Sequence, residues 1–140
     1  MTYLADINVW VALSLYDHVH HSAASNWFVQ SYPDGVAFCR VTQMGFLRLL
    51  TNAKAMENEP LKPAEAWKLF DEILALEGVG FADEPSGLEK PWRQAVGNHA
   101  SGHWWTDAYL SAFATAAGLA LVTFDKALAK HQGVHAHVLG

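Results

Sequence analysis

Residues 104–125, WWTDAYLSAFATAAGLALVTFD, decide the fold because they join a long helical pattern to a buried strand. Apolar side chains recur at helical spacing through the first part and form one face: Tyr109, Leu110, Phe113, Ala114 and Ala117. Gly118 is the expected end of that helix, because glycine readily takes the left-handed conformation found there. The apolar run at 119–123 then predicts a strand. We therefore expect a helix over Trp104–Ala117 followed at once by a strand.

The same alternation of strand and helix runs along the rest of the chain. Further strands are predicted at residues 3–6, 36–40, 79–81 and 134–138. Further helices are predicted at residues 8–15, after His20, after a Thr42 cap, at 63–78 between Pro63 and Gly78, at 87–97 and at 126–131. Strands that alternate with helices predict an α/β fold of three layers (α/β/α), with a central, mostly parallel sheet of about five strands.

Length and composition indicate one globular domain covering residues 1–140. Apolar residues make up 51% of the chain and charged residues 16%, a composition that disordered chains do not have. No apolar run reaches the roughly 18 residues that a membrane span needs, and we expect no signal peptide. The single cysteine, Cys39, has no disulfide partner and lies in an apolar run. We expect it to be an inert core thiol in a protein of the reducing cytoplasm.

Three aspartates follow predicted strands or open a predicted helix: Asp6, Asp107 and Asp125. The carboxyl ends of parallel strands share one edge of the sheet, where ligands bind. Acids gathered there repel one another unless they are protonated or hold a cation, and carboxylate oxygens suit Mg²⁺ or Mn²⁺. Each aspartate alone could instead be a helix N-cap. Their joint placement favours a shared metal site over three separate caps.

Two polar residues near these acids are candidates for supporting roles. Asn8 follows Asp6 by two positions, and Thr123 precedes Asp125 by two positions. Either side chain could orient an acid or a water molecule. A turn or cap hydrogen bond is the alternative role for both.

The charge balance argues mildly against a nucleic-acid substrate. Net charge is −5 with neutral histidines, and the chain has no basic tail. Metal ions or a few placed cations must therefore offset the repulsion of phosphate. Arg40 and Lys126 lie near predicted strand ends, where they could contact RNA or simply be solvated. Arg48 is also a candidate for RNA contact, but its helix is mostly apolar, so we favour a pairing with a carboxylate.

The eight histidines and six tryptophans invite other interpretations. A zinc site that uses His99 and His103 is disfavoured because no cysteine lies nearby. The histidines at 18–21 are expected at the start of a helix. Trp104 and Trp105 could stack on bases, but core packing or a partner contact is the more frequent role of such a pair. Some tryptophans are expected to serve a dimer or partner surface.

Three short motifs resemble the acidic motifs of PIN-domain ribonucleases: DINV at 6–9, WTDAYL at 105–110 and LVTFDK at 121–126. Within that family the chain resembles the VapC-type toxins of prokaryotic toxin–antitoxin pairs, one branch of which has stretches similar to residues 18–21 and 42–52. The resemblance implies a PIN-like fold and a Mg²⁺- or Mn²⁺-dependent endoribonuclease, with Asp6, Asp107 and Asp125 as metal-binding and catalytic residues. It also implies an RNA substrate (structured RNA such as tRNA or rRNA loops included), a cognate antitoxin and a homodimer, and no membrane association.

One position departs from the pattern of that family. Many members carry a glutamate early in the third helix, where this chain has Gln43. A neutral amide could orient a water molecule but binds a divalent ion weakly, so the choice between one and two metals stays open. Two other functions also stay open. One is a catalytically weak PIN-fold binding module, and the other is a HAD-like phosphatase, which normally carries a second aspartate where this chain has Asn8.

Overall fold

A parallel sheet organises the computed structural model, which describes residues 1–98, 101–131 and 134–140. Within those ranges the sheet has five strands: β1 Tyr3–Ala5, β2 Val36–Phe38, β3 Val79–Phe81, β4 Ala120–Thr123 and β5 Ala136–Val138. All neighbouring strands are parallel, and their order across the sheet is β3-β2-β1-β4-β5. The first strand is thus central, and β4 lies directly beside it although more than a hundred residues separate them.

Six α-helices in the described ranges connect and cover these strands: α1 Ile7–Ser14, α2 His21–Ser31, α3 Arg40–Leu50, α4 Pro63–Leu74, α5 Glu89–Val96 and α6 Trp104–Ala117. Two 3₁₀ turns complete the structure, at Tyr32–Asp34 and Leu128–Lys130. The predicted three-layer α/β/α fold with a five-stranded parallel sheet is confirmed. The longest helix has 14 residues, and within the described ranges no helix has the length and apolar character that a bilayer span requires.

The sheet separates two hydrophobic cores, since successive strand residues face opposite sides. Leu4 and Leu121 pack with Phe113 of α6 on one face. Their neighbours Ala5 and Val122 contribute to the core on the other face, beneath α1, α3 and α4. The helices therefore cover both faces and leave the edge formed by the carboxyl ends of the strands for other contacts.

An aromatic group anchors the second face. The rings of Trp10 and Phe38 are stacked with centroids 3.8 Å apart, and Phe70 meets Phe38 edge-on at 4.9 Å. Burial of one such side chain contributes about 1.5–3 kcal/mol relative to leaving it exposed. Because Trp10 lies on α1, this packing fixes the helix that begins directly after Asp6.

The boundary between β2 and α3 comes earlier than the sequence predicts. The strand predicted to reach residue 40 ends at Phe38, and Arg40 is already the first residue of α3. Cys39 is the N-cap, and its backbone N–H donates to Thr42 Oγ1 at 2.9 Å. The prediction that Thr42 is the cap is wrong. Thr42 is the third residue of α3, and its hydroxyl accepts the backbone N–H of the actual N-cap, Cys39.

The segments around Gly78 and after Asp125 also differ from prediction. α4 ends at Leu74, so Gly78 does not close it. Gly78 instead precedes β3 with φ +83°, and a Cβ there would overlap the carbonyl oxygen of Tyr32. The short helix predicted at 126–131 is only the 3₁₀ turn at Leu128–Lys130. Asp125 accepts the backbone N–H of Ala127 at 2.8 Å, a local bond that competes with helix formation.

Candidate functional site

Asp6 is held at the junction of β1 and α1. Its backbone N–H donates to the carbonyl oxygen of Val122 at 2.8 Å, which ties the end of β1 to β4. Its Oδ1 accepts the N–H of Ile7 at 2.7 Å, so Asp6 is the N-cap of α1. Oδ2 accepts the hydroxyl of Thr123 at 2.7 Å. Only 8% of Asp6 is exposed, and each carboxylate oxygen keeps a second lone pair for another ligand.

Thr123 is the hub of the polar contacts around Asp6. Besides donating to Asp6, its Oγ1 accepts the backbone N–H of Asp125 at 3.0 Å and the amide of Asn8 at 3.4 Å. Asn8 also accepts the backbone N–H of Phe124 through Oδ1 at 3.3 Å. A threonine hydroxyl has one donor and two acceptor lone pairs, so its capacity is fully used. The two residues expected to support the acids thus join the two chain segments that carry Asp6 and Asp125.

Asp107 and Asp125 complete the acidic group. Asp107 lies half-buried in the first turn of α6, whose N-cap is His103, so Asp107 itself is not the cap. Asp125 follows β4 and is also partly buried, and one of its oxygens accepts the N–H of Ala127. The structure thus places all three predicted acids around the carboxyl ends of β1 and β4, the two central neighbouring strands.

The three acids share one electrostatic environment. Burial raises the pKa of Asp6; the hydrogen bonds from Thr123 and Ile7 oppose this rise, and the charge of Asp125 adds to it. Burial likewise raises the pKa of Asp107 to about 6, with further contributions from the charges of Asp6 and Asp125. His103 acts in the opposite direction on both groups. Carboxylates with raised pKa values and mutual repulsion are typical of functional sites.

The donor chemistry of this site fits a hard divalent cation. Its ligand candidates are carboxylate oxygens, which Mg²⁺ and Mn²⁺ prefer, and Cys39 is fully buried elsewhere in the core. A bound cation would offset the repulsion from Asp6 and Asp125, which adds to the effect of burial on the pKa of Asp107. Within the described ranges, however, no group of three or more acid, histidine or cysteine side chains is close enough together to hold a metal ion by itself. The acids therefore form an open group, and coordination would require a ligand such as water or substrate to complete it.

Gln43, Arg40 and Lys126 lie around this edge with different surroundings, whereas Arg48 lies at the far end of α3. Gln43 is buried in α3, where its Oε1 accepts the guanidinium of Arg40. The Arg40 guanidinium also lies 4.9 Å from the centre of the Phe81 ring. Lys126 is exposed directly after the acidic group. Arg48 is exposed in the last turn of α3 and pairs with no carboxylate among the described residues, so the pairing favoured from sequence is wrong.

Two histidines near the acids were not assigned to the site from sequence. His103 lies four residues before Asp107, a spacing that the sequence shows but that points equally to zinc. The zinc site disfavoured from sequence would also use His99, which lies outside the described residues. His20 stacks on Phe124 with ring centroids 4.6 Å apart, although 104 positions separate them. No local sequence pattern predicts this contact, since it joins the residue before α2 to the residue after β4.

The two tryptophans considered for base stacking, Trp104 and Trp105, are mainly structural. Trp104 donates through Nε1 to the carbonyl oxygen of Val96 at 2.8 Å and packs on His131. Trp105 is 55% exposed and meets the ring of Trp92 edge-on. Both therefore fasten α5 to α6, in agreement with the packing role favoured from sequence.

Comparison with known proteins places this geometry in a family. Residues 3–134 match the model of the PIN domain. Ribonuclease VapC41 of Mycobacterium tuberculosis is 41% identical over 142 aligned positions, which cover 97% of both chains. Ribonuclease VapC39 of the same organism is 38% identical and covers 92% of both chains.

Solved structures agree on the fold. One chain of the VapBC2 complex of Rickettsia felis, solved bound to a DNA fragment from its promoter, superposes with a TM-score of 0.74 at 12% identity. The superposition covers 100% of this chain and 100% of that chain. VapC20 of Mycobacterium tuberculosis, a toxin that cleaves the sarcin–ricin loop, superposes with a TM-score of 0.68 at 18% identity and covers 96% of this chain and 99% of its own. This chain belongs to the PIN-domain family and, within it, to the VapC ribonucleases.

Proposed function

We propose that residues 1–140 form one metal-dependent endoribonuclease domain that acts as the toxin of a toxin–antitoxin pair. The observation that carries the proposal is the set of three electrostatically coupled acids at the carboxyl edge of β1 and β4. Membership of the VapC ribonucleases supports RNA as the substrate. Since cellular RNA is the target, the cytoplasm is the proposed place of action.

Asp6 and Asp107 would be the principal ligands of Mg²⁺ or Mn²⁺, with Asp125 as a further ligand or as the acid that orients the attacking water. When bound, such an ion supplies an activated water and neutralises charge on the phosphate. This neutralisation also answers the objection raised by a net charge of −5. Gln43 is neutral and already bonded to Arg40, so it supports one tightly held ion better than two.

The protein's own groups position these acids before substrate arrives. The bonds from Ile7 and Thr123 hold both oxygens of Asp6, so its orientation does not need to be set during the reaction. Asn8 in turn holds Thr123 and the backbone of Phe124. In-line attack by water on the phosphodiester would break the bond to the 3′ oxygen and leave a 5′-phosphate and a 3′-hydroxyl.

Three exposed cations are the proposed RNA contacts. Arg40 begins α3 directly after β2, and Lys126 follows Asp125, so both lie at the edge that carries the acids. Arg48 lies free of carboxylate partners among the described residues, and this leaves a phosphate contact as its proposed role. Replacement of any one of these cations should weaken RNA binding, although none of them contacts the reacting atoms.

A cognate antitoxin is the proposed partner, and a homodimer the proposed assembly. Two of the structures with this fold are VapBC complexes, from Rickettsia felis and Salmonella typhimurium. A chain that cleaves cellular RNA also needs restraint between episodes of use. Co-expression with the product of an adjacent small reading frame should give a stable complex that does not cleave RNA, and size measurement of the free chain tests the dimer.

A metal-titrated cleavage assay tests the proposed activity. Cellular RNA is incubated with the protein in EDTA and then in rising Mg²⁺ or Mn²⁺, and new 5′ ends are mapped. Asp6→Asn and Asp107→Asn should each abolish cleavage with little change in fold. Asp34→Asn, which removes an exposed acid before β2 at the opposite end of the strands, is the matched control. RNA binding without cleavage would indicate a binding module, and hydrolysis of a generic phosphate monoester would indicate a phosphatase.

A further inference from the structure

The loop between α1 and α2 borders the candidate site but has no role in the chemistry proposed above. It covers residues 15–20, LYDHVH, and begins the histidine cluster noted in the sequence. Tyr16 is 89% exposed and Val19 is 85% exposed. Large apolar side chains exposed together beside a functional site are typical of a binding surface.

His20 at the end of this loop reaches the acidic site through a stacked pair of rings. Its imidazole lies on the ring of Phe124, with centroids 4.6 Å apart and planes inclined by 19°. The backbone N–H of Phe124 donates to Asn8, and Asn8 donates to Thr123. Thr123 then donates to Asp6. The stacked pair is therefore continuous with the acidic site through direct contacts.

The loop and the start of α2 are held by hydrogen bonds of their own. The backbone N–H of His20 donates to Nδ1 of His18 at 3.0 Å. The ring of His21 bonds to the carbonyl oxygen of Ala12 through Nδ1 at 2.9 Å and to Ser25 through Nε2 at 3.3 Å. A surface that is already ordered loses little conformational freedom when a ligand binds to it.

Charge indicates what kind of ligand this surface can hold. The protein carries only 9 Lys and Arg against 14 Asp and Glu, so the few proposed phosphate contacts need support from contacts that do not depend on charge. Stacking of a base on an aromatic ring does not depend on net charge and tolerates every base. His20 is exposed, whereas Phe124 beneath it is partly buried, so a flat ligand would extend the stack on the imidazole side.

We propose that the His20–Phe124 stack is a nucleobase platform, which holds an unpaired base of the RNA beside the acidic site. This inference rests on the proposed ribonuclease function and adds to it an anchoring point for substrate. The platform reads RNA by the presence of an unstacked base rather than by its identity. It therefore favours single-stranded segments and loops over continuous duplex.

Binding measurements on inactive protein test the platform. All variants carry Asp107→Asn, and their affinity for a short unstructured RNA is measured by fluorescence anisotropy. His20→Ala should weaken binding at least about fivefold, the lower limit for loss of one base–aromatic stack. His20→Phe keeps an aromatic ring and should remain within about twofold of the parent. His135→Ala removes an exposed histidine at the amino end of β5 and should change nothing.

Abasic substitution, one RNA position at a time, separates stacking from a general loss of structure. One position should weaken binding to the parent but have no further effect in His20→Ala, because both changes remove the same contact. Strict additivity at every position would overturn the platform. So would a His20→Ala protein that binds RNA normally but loses its dimer or its antitoxin, which would identify the surface as a protein contact.

The outcome for the platform is distinguishable from that for the nuclease. If the unaltered protein cleaves RNA and His20→Ala binds and cleaves equally well, the platform alone is wrong. If the unaltered protein neither binds nor cleaves RNA, both proposals fail together. If the platform exists, His20→Ala in the protein that retains Asp107 should raise KM for RNA with little change in kcat. The reason is that the platform binds the substrate without contacting the reacting atoms.

Discussion

Replacement of Asp107 by asparagine should stabilise the metal-free protein while it removes the proposed activity. The pKa of Asp107 is raised from 3.8 to about 6 by burial and by the charges of Asp6 and Asp125. A shift of that size corresponds to about 3 kcal/mol if the side chain were fully shielded from solvent. Since about half of the side chain is solvated, screening reduces the expected gain to about 1–2 kcal/mol.

The gain should depend on pH in one direction. An acid whose pKa is higher in the folded state contributes stability below its unfolded pKa, and this contribution is lost as pH rises through the folded pKa. The parent should therefore lose stability between about pH 4 and pH 7 through this group. Asp107→Asn should be more stable than the parent at pH 7.5, and its advantage should be clearly smaller at pH 4.5.

Urea unfolding in EDTA at both pH values measures this difference. Asp34→Asn removes an acid that is exposed at the opposite end of the strands, and its effect should stay within about 0.5 kcal/mol at both pH values. The reasoning is refuted if Asp107→Asn is no more stable than the parent at pH 7.5, or if the gain is equally large at pH 4.5. Either result would mean that Asp107 is not held in a repulsive, partly desolvated position.

Three further predictions concern the support of the site and the core. Thr123→Val removes a hydroxyl that bonds to Asp6, Asn8 and the backbone of Asp125. The free energy of unfolding in urea should therefore fall by about 1–3 kcal/mol. The substitution should also move the acidic limb of the pH–activity profile upward, because the bond from Thr123 lowers the pKa of Asp6; an unmoved limb would argue against a role for Asp6. Gly78→Ala should cost at least about 2 kcal/mol, because it combines a positive φ with overlap on the Tyr32 carbonyl. Cys39 is fully buried and burial raises its pKa, so a thiol reagent at pH 8 should label it only after unfolding, and rapid labelling of the native protein would contradict the packing described.

Elements with strong local signals agree with their prediction from sequence. The bounds of α6, Trp104–Ala117, match because a long apolar stripe meets Gly118, which takes φ +69° at the cap. Predicted boundaries are wrong where a contact with a distant part of the chain determines the local conformation. Gly78 looks like a helix end, but its conformation serves the close approach of Tyr32, more than forty residues away in the chain.

The candidate site shows the same division between local and distant causes. The position of Asp6 after a strand predicts the edge at which it lies, because parallel strands bring their carboxyl ends together. The bond between Thr123 and Asp6 joins residues 117 positions apart, so sequence suggests a supporting role for Thr123 but not its partners. Arg48 illustrates the reverse failure, since an apolar helix suggested a carboxylate partner that the described residues do not supply.

Direct measurement of Mn²⁺ binding by calorimetry tests most simply whether three distant segments build one cation site. The unaltered protein at pH 7.5 should bind Mn²⁺, and Asp6→Asn and Asp107→Asn should each greatly weaken that binding, whereas Asp34→Asn should leave it unchanged. Equal Mn²⁺ binding by all four proteins, or none by the unaltered one, would contradict the account.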